Sequence, residues 1–599
     1  MKAAVYRPDA IPAGGNFSLA VGFAACIAVG LPALLAFNLP PSATFLNQAA
    51  ALGGWGLFML MLTLFPGHGA QHPMPASIGL RALVGALVIL AALALLARWT
   101  AALPSGLALS SAGSIGAAIA VVSVSAAVRQ RSSGPAAFEA FCLALLAAGA
   151  LNLVIALIQY FDPSLPDGDW LARPGAGGRV GGNLRQPNHL SSLLLWSLTA
   201  TVWLHAAWSR RHARMATALN GMAAIAMLAF TFGVVLTVSR TGAVCIVLLA
   251  LWGVLDRQLP RFTRVLLWLL PLFLVVFWVG MTEWAAVSHH AFAGDDQLHK
   301  GDLSSSRFGI WKNTLALIAM HPWAGVGWGE FNFAWTLTPF PGRPVAFFDH
   351  THNLLLQLAV EIGIPLTALV MGLVAVALMG AFKQACRQEG LDRTTSAAAL
   401  VMVLMIGIHS LLEYPLWYAY FLLPAAFAFG AALGRPALPA PNRPAGPSAA
   451  WVAASAAMVL ASALSVVDYQ RVVQIFSPDA DAPPLGERIA VGQRSWFFAH
   501  HADYAAVTTA THPSQVPGGF ERAAHYLLDA RLMIAWSKAL AEQGDLEHAR
   551  YVAERLREFN HPLGATFFAE CDNAWPRQEL PFQCTPPSKP LNYLDFRKN

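Results

Sequence analysis

Charge is what this 599-residue chain has little of: 12% of its residues are Asp, Glu, Lys or Arg, against roughly 25% in soluble globular proteins. A soluble chain of this length could not cover its surface with so few charges. Cysteine is also scarce, at six residues, which excludes a disulfide-stapled scaffold. Period-2 alternation in stretches of strand length is missing, so an outer-membrane barrel is excluded as well. What is present instead is apolar sequence, 56% of the chain, in long uninterrupted runs. These features predict an all-α polytopic membrane protein. The net charge of +6 does not point to nucleic acid, because no basic face with interleaved aromatics stands outside the runs. Met1–Gly15 lacks a compact apolar region followed by a small-residue cleavage site, so the first span is expected to be retained.

About thirteen spans are expected, near 17–37, 43–65, 77–97, 104–128, 138–160, 188–208, 215–238, 241–256, 264–282, 354–382, 396–412, 416–434 and 450–467. Basic residues set the orientation. Arg129/Arg131, Arg210/Arg211/Arg214, Arg257/Arg261/Arg264, Lys383/Arg387/Arg393 and Arg435/Arg443 fall in alternate loops, which predicts that those loops are cytoplasmic. Lys2 and Arg7 then lie inside, and the chain after residue 467 lies outside. Four regions follow: nine spans within 1–282, with an external loop at 161–187; a large external loop at 283–353; four spans within 354–467; and an external helical domain at 468–599.

Cys571 and Cys584 fall in that exported tail, where a disulfide is expected. Cys26, Cys142 and Cys245 sit in apolar spans and read as small hydrophobes, and Cys386 in a cytoplasmic loop should stay reduced. In the tail, 523–540 and 546–559 predict two helices joined at Gln543-Gly544-Asp545, each with an apolar stripe (Leu528/Leu532/Ala535 and Ala549/Val552/Leu556). The pair is similar to one tetratricopeptide-type hairpin. Pro436–Pro447 reads as a connector.

Four polar clusters break the apolar pattern, and the predicted topology puts all of them on the outer side. They are Arg179 with Asn183-Leu184-Arg185-Gln186-Pro187-Asn188-His189, then Ser239-Arg240-Thr241-Gly242, then Asp349-His350-Thr351-His352-Asn353, then His409 with Glu413-Tyr414-Pro415. Each has a plainer reading. Arg179 and Arg185 could snorkel to lipid phosphates, although they run against the positive-inside bias. Gln186-Pro187 could cap a helix, and Arg240 could pair with Glu413. His350-Thr351-His352 could bind a metal, but no third ligand stands at helical spacing nearby. Trp311, Trp323, Trp328 and Trp335 suit an interfacial belt.

Several arginines beside few carboxylates suit a di-anion such as a pyrophosphate. A neutral histidine beside such a group can take a proton from an acceptor hydroxyl. Those parts fit an enzyme that moves a group from a membrane-bound polyprenyl pyrophosphate to an external hydroxyl, with no divalent ion needed.

At these motifs the sequence resembles the bacterial O-linking oligosaccharyltransferases of the PglL type, within the O-antigen ligase/polymerase superfamily. The resemblance is carried by Gly182-Asn183-Leu184-Arg185-Gln186-Pro187-Asn188-His189, Ser239-Arg240-Thr241-Gly242, His350-Thr351-His352-Asn353-Leu354 and Glu413-Tyr414-Pro415-Leu416. It implies a GT-C-like inner-membrane enzyme without cofactor or metal. The donor would be an undecaprenyl-pyrophosphate-linked oligosaccharide, transferred en bloc to Ser or Thr of a pilin-like periplasmic protein. Carried over by motif, His352 or His350 is the base. Gln186, Asn188, His189, Asn353, Glu413 and Tyr414 are substrate-binding residues, and Arg179, Arg185 and Arg240 hold phosphate. An O-antigen ligase or polymerase with a glycan acceptor is the first alternative. A lipid-linked glycan transporter is the second, disfavoured because the charges cluster at one interface and no internal repeat is visible.

Overall fold

A computed structural model describes residues 15–65, 76–175, 178–288, 291–294, 303–436, 447–572 and 580–597. Met1–Gly14, with Lys2 and Arg7, and most of Pro436–Pro447 lie outside the described residues. Among the described residues the regular elements are helices, without strands. The first nine are α1 (Leu19–Leu34), α2 (Phe45–Leu64), α3 (Ile78–Thr100), α4 (Ser105–Arg129), α5 (Gly134–Phe161), α6 (Pro187–Arg211), α7 (Ala216–Thr237), α8 (Arg240–Leu255) and α9 (Arg261–Ser288). The region after them carries α10 (Leu303–Met320) and α11 (Phe331–Leu337). Then come α12 (Leu354–Arg387), α13 (Gly390–Ser410), α14 (Ala419–Leu433) and α15 (Ala449–Phe476). The tail holds α16 (Leu485–Gly492), α17 (Ala499–Thr509), α18 (Gly519–Ala523), α19 (Ala530–Glu542), α20 (Leu546–Glu558) and α21 (Pro562–Asp572).

Each expected span coincides with one of α1–α9 or α12–α15. Among the described residues ten helices are long and apolar enough to cross a membrane, and α1, α8 and α14 are shorter apolar helices. The chain is a polytopic helical membrane protein. Its described residues pack as two compact units.

The first unit comprises the described residues of Met1–Val88, Ser114–Lys300 and Met371–Leu464. Its centre is α6, which is wholly buried although it is the least apolar of the ten long spans. Its Ser192, Ser197, Thr199 and Thr201 hydroxyls need partners in an apolar medium. Here they find them: the Ser197 hydroxyl donates to the Leu145 carbonyl of α5 at 2.7 Å. Gly149 permits that approach, since a Cβ there would lie 2.1 Å from the Ser197 Oγ. An aromatic core of Trp55, Phe58, Phe141 and Phe427 joins α2, α5 and α14, with ring centroids 4.8–6.0 Å apart.

One end of this unit is held by ion pairs between the basic segments. Arg129 meets Asp392 at 2.9 Å, Arg393 meets Asp256 at 3.0 Å, and Arg211 meets Glu139 at 2.9 Å. Three of the arginines that set the expected orientation, Arg129, Arg211 and Arg393, thus bind the ends of α4, α6 and α8 to α5 and α13.

The second unit comprises the described residues of Ile89–Gly113, Gly301–Val370 and Ser465–Asn599. Phe331, Phe333 and Trp335 of α11 pack with Leu528, Leu532, Met533, Val552, Leu556 and Phe559 of the tail. Trp335 is therefore core rather than an interfacial anchor, while Trp323 is 79% exposed. Arg343 lies buried between the rings of Trp335 and Phe559 and pairs with Glu558 at 3.0 Å. Burial pulls its guanidinium down to about 10, and Glu558 opposes that shift.

The expected tail helices form with one correction. The first begins at Ala530, not near 523, because the Asp529 carboxylate caps it by accepting from Leu532 N–H at 3.0 Å. Gly544, at φ 82°, makes the turn between α19 and α20, and Cys571 and Cys584 form a disulfide. The other four cysteines are free thiols. Expected span 354–382 falls on two helical stretches of α12 that meet at a kink at Gly363, whose φ is 77°. A Cβ there would sit 2.2 Å from the Trp323 carbonyl oxygen, so only glycine fits.

Candidate functional site

In the first unit, three of the four polar clusters touch one another at the end opposite the ion pairs. Gln186 is the N-cap of α6, its side-chain oxygen accepting from His189 N–H at 2.7 Å. Asn188, one residue inside the helix start, is the bridge. Its Oδ1 accepts from the Ser239 hydroxyl at 2.7 Å, and its Nδ2 donates to Glu413 at 3.2 Å. Ser239 also caps α8, accepting from Gly242 N–H at 3.1 Å. One asparagine thereby ties the start of α6, the α7–α8 turn and the α13–α14 turn.

Below it, His189 is buried, with Nδ1 3.3 Å from the Tyr420 hydroxyl and its ring centroid 4.8 Å from that of Tyr418. Tyr418 in turn stacks on Tyr414 at 5.9 Å. The Ser192 hydroxyl lies 2.7 Å from His409 Nδ1. The polar face of the first turns of α6 therefore meets α13 and the segment 414–420.

The three arginines have different surroundings. Arg179 donates to the carbonyls of Thr237 and Val238, at 3.2–3.4 Å, where α7 ends. Arg185, in a left-handed conformation at φ 59°, donates to the carbonyls of Ala36 and Ala43. Both guanidiniums thus satisfy carbonyls at or beyond helix ends, which otherwise lack partners. Arg240 differs. It is the first residue of α8, is exposed, and makes no ion pair with another described residue, so the expected alternative of a pair with Glu413 is not formed. A free cation at a helix N-terminus, where backbone N–H groups already favour negative charge, is a place for an anion.

The fourth cluster belongs to the second unit. His350 Nδ1 lies 3.0 Å from the Asp349 carboxylate. Burial raises the Asp349 carboxyl, but the charge and hydrogen bond of His350, with a smaller contribution from His352, prevail and hold it at about 2. A carboxylate beside an imidazole orients the ring. His352 has φ 55°, a left-handed conformation that is uncommon for a residue with a Cβ. The Asn353 side-chain oxygen accepts from Leu356 N–H at 3.1 Å, at the start of α12. Among the described residues no group of three or more metal-ligating side chains is assembled.

Ser192, Tyr418 and Tyr420 were not singled out as site residues by sequence reasoning, and Ser239 entered only as part of its cluster. A signal was available for the tyrosines, since 414, 418 and 420 crowd the segment that leads into α14. Trp311, expected in a belt, donates its indole N–H to the Thr351 carbonyl between the two histidines, at 3.0 Å.

Comparison with known proteins covers these clusters. The chain matches the O-antigen ligase family over residues 222–371, the C-terminal region of the virulence factor membrane-bound polymerase family over 397–567, and the protein glycosylation ligase family over 180–205. Among curated proteins it is 27% identical over 285 residues to the ComP-specific O-oligosaccharyltransferase of Acinetobacter baylyi, covering 47% of each chain. It is 28% identical over 266 residues to the general O-oligosaccharyltransferase of the same organism, covering 41% of this chain and 42% of the relative. The chain thus spans just under half the length of the curated relatives it matches. Arg185, Gln186, Asn188 and His189 fall in the glycosylation-ligase segment, Arg240 and the two-histidine turn in the ligase segment, and Glu413 and Tyr414 in the polymerase segment. These segments follow one another in chain order along α6–α21, so the chain is similar to the O-antigen ligase family over one stretch and to protein glycosylation ligases over another.

Proposed function

We propose that the protein is an O-oligosaccharyltransferase of the inner membrane, working on the periplasmic side. It moves a glycan en bloc from undecaprenyl pyrophosphate to Ser or Thr of an exported, pilin-like protein. The reaction breaks the bond between the anomeric carbon and the pyrophosphate oxygen and forms one from that carbon to the acceptor oxygen. The acceptor proton goes to a histidine, and the pyrophosphate leaves with the electron pair. His352 takes the proton, and His350 supports it beside Asp349. Arg240 and the N-terminus of α8 stabilise the leaving group, which needs only fixed positive charge. Arg179 and Arg185 keep the surrounding backbone in shape, while Gln186, Asn188, His189, Asn353, Glu413 and Tyr414 shape the substrate surroundings.

The observation that carries this reading is Arg240, an exposed cation in a setting where the neighbouring arginines are bonded to carbonyls. The matched polymerase segment favours a second reading, with a glycan as acceptor. One experiment separates them: mass spectrometry of exported proteins from cells with and without the gene. Glycopeptides modified at Ser or Thr should vanish on deletion and return with the intact gene. Unchanged glycopeptides with altered surface glycan would favour the glycan acceptor.

A further inference from the structure

The turn that carries His350 and His352 is fixed through the residue between them. Thr351 is fully buried, and each of its polar groups has a partner. Its N–H donates to Gln357 Oε1 at 2.7 Å, its carbonyl accepts from the Trp311 indole at 3.0 Å, and its hydroxyl donates to the Asn353 carbonyl at 2.8 Å. Gln357 cannot turn away freely, because its Nε2 is held by Glu361 at 2.9 Å. Just upstream, Asn332 Nδ2 donates to the Phe348 carbonyl at 3.0 Å, and its Oδ1 accepts from Leu528 N–H of the tail at 2.7 Å. Trp311, Asn332 and Gln357 come from three helices, α10, α11 and α12, and converge on four residues of irregular backbone.

Such convergence has a physical counterpart in the turn itself. A left-handed histidine is unfavourable and persists only where its surroundings over-determine it, a condition typical of sites where one geometry must be kept. Within the turn, the Thr351 hydroxyl spans His352, donating to the Asn353 carbonyl at 2.8 Å and accepting from the Asn353 N–H at 3.3 Å. The ties at Thr351 and Phe348, on either side of His350, are what leave that conformation as the solution. None of the three residues is itself an acid, base or cation, so their contribution is to geometry.

We propose that Trp311, Asn332 and Gln357 are positioning residues for the two-histidine turn, holding His352 in the conformation from which it acts. This rests on the function proposed above, where His352 takes the proton. It also gives the tail a role: through Leu528 and Asn332, it buttresses the turn.

The test uses the purified full chain and diethyl pyrocarbonate, with modification of each histidine followed by peptide mass spectrometry. Three variants break the ties: Trp311→Phe removes the donor to Thr351, Gln357→Met removes both the acceptor for Thr351 and the donor to Glu361, and Asn332→Asp removes the donor to Phe348 while retaining the acceptor for Leu528. Each should raise the modification rate at His352 by about threefold to tenfold, the scale of one lost hydrogen bond. His512 and His548 in the tail should react as before. Glycan transfer to exported proteins in cells should fall by a similar factor. Unchanged reactivity at His350 and His352 in the variants that fold overturns the proposal. So does a rise shared by His512 and His548, or a selective rise with full transfer. Should the unmodified protein show no transfer, the functional reading fails, and the reactivities still decide whether these residues hold the turn.

Discussion

The two polar ends of the first unit are built differently. One is closed by opposite charges: Arg129 with Asp392, Arg393 with Asp256, Arg211 with Glu139. The other is closed by neutral donors and acceptors around Asn188, with Glu413 the one carboxylate in that bridge, and leaves Arg240 exposed. Ion pairs neutralise the arginines they use, Arg129, Arg211 and Arg393, while Arg210, Arg214, Arg257, Arg261, Lys383 and Arg387 stay exposed around them. Hydrogen bonds among Asn, Ser, Tyr and His fix backbone without cancelling Arg240. The contrast separates arginines that carboxylates hold in place from an arginine at a helix start that no described carboxylate cancels, and substitutions should divide along the same line.

The largest effect is expected outside both ends, at the residue assigned the proton. His352→Ala should lose on the order of 10²–10⁴ in transfer rate, the usual contribution of a general base, while donor binding persists. His350→Ala should lose less. Near-normal glycosylation by a well-expressed His352→Gln variant would overturn the assignment, and a selective loss in His350→Ala would move the role to that residue. Next comes Arg240→Ala, expected to lose on the order of 10²-fold in transfer, the scale of one removed electrostatic stabiliser. Its melting temperature should stay unchanged, because the side chain is exposed and pairs with no described residue. A large fall in stability with normal transfer per folded molecule would place Arg240 with the structural arginines and erase the contrast between the ends.

At the ion-paired end the reverse holds. Arg129 is 3% exposed and Asp392 43%. Removing one partner of a fully buried pair costs about 3–5 kcal/mol. Screening at half-exposed Asp392 brings the expected cost of Asp392→Ala to about 2 kcal/mol. Transfer per folded molecule should be retained, as measured by thermal unfolding and a glycosylation assay on the same preparation. Normal stability with lost transfer would show that this end, too, serves the chemistry.

The spans were legible because each is a run of about 20 apolar residues, which water and a helical period explain together. Contact among three of the outer clusters was legible through topology alone. What each arginine touches was not. Arg185 reaches carbonyls at Ala36 and Ala43, and Arg179 those at Thr237 and Val238. Those acceptors are backbone and carry no residue-type signal. The left-handed φ of Arg185 and His352 was equally invisible, since both residue types normally avoid it. Asp529 hid the start of α19, because the apolar stripe continues upstream through Leu528 while the cap ends the helix at that point. Trp335 misled for a related reason: a tryptophan's composition suits an interface and a core alike, and its burial is decided by partners as distant as Phe559.

The smallest effect concerns the tail and acid. His500 and His501 of α17 are buried, their rings 4.4 Å apart and within 4.8 Å of the Tyr526 ring. Neither makes an ion pair with a described residue. Burial draws the His501 imidazole down to about 4, and burial together with neighbouring His501 draws His500 well below its ordinary value. Both are therefore neutral in the folded tail at neutral pH. A histidine depressed on folding adds no penalty above its unfolded value of about 6.5, and stability falls as pH drops from there toward the folded value. From His501 alone the loss at pH 5.5 is about 1.4 kcal/mol relative to pH 7.5, one pH unit of unequal proton binding. His500 adds to it in the same direction. Thermal unfolding of the full chain at pH 7.5, 6.5 and 5.5 should show a decline that is larger over the lower step, reduced in His501→Phe. A decline of the same size in that variant would assign the acid sensitivity to other groups, with Asp349 a poor candidate because its carboxyl, held at about 2, stays ionised throughout this range.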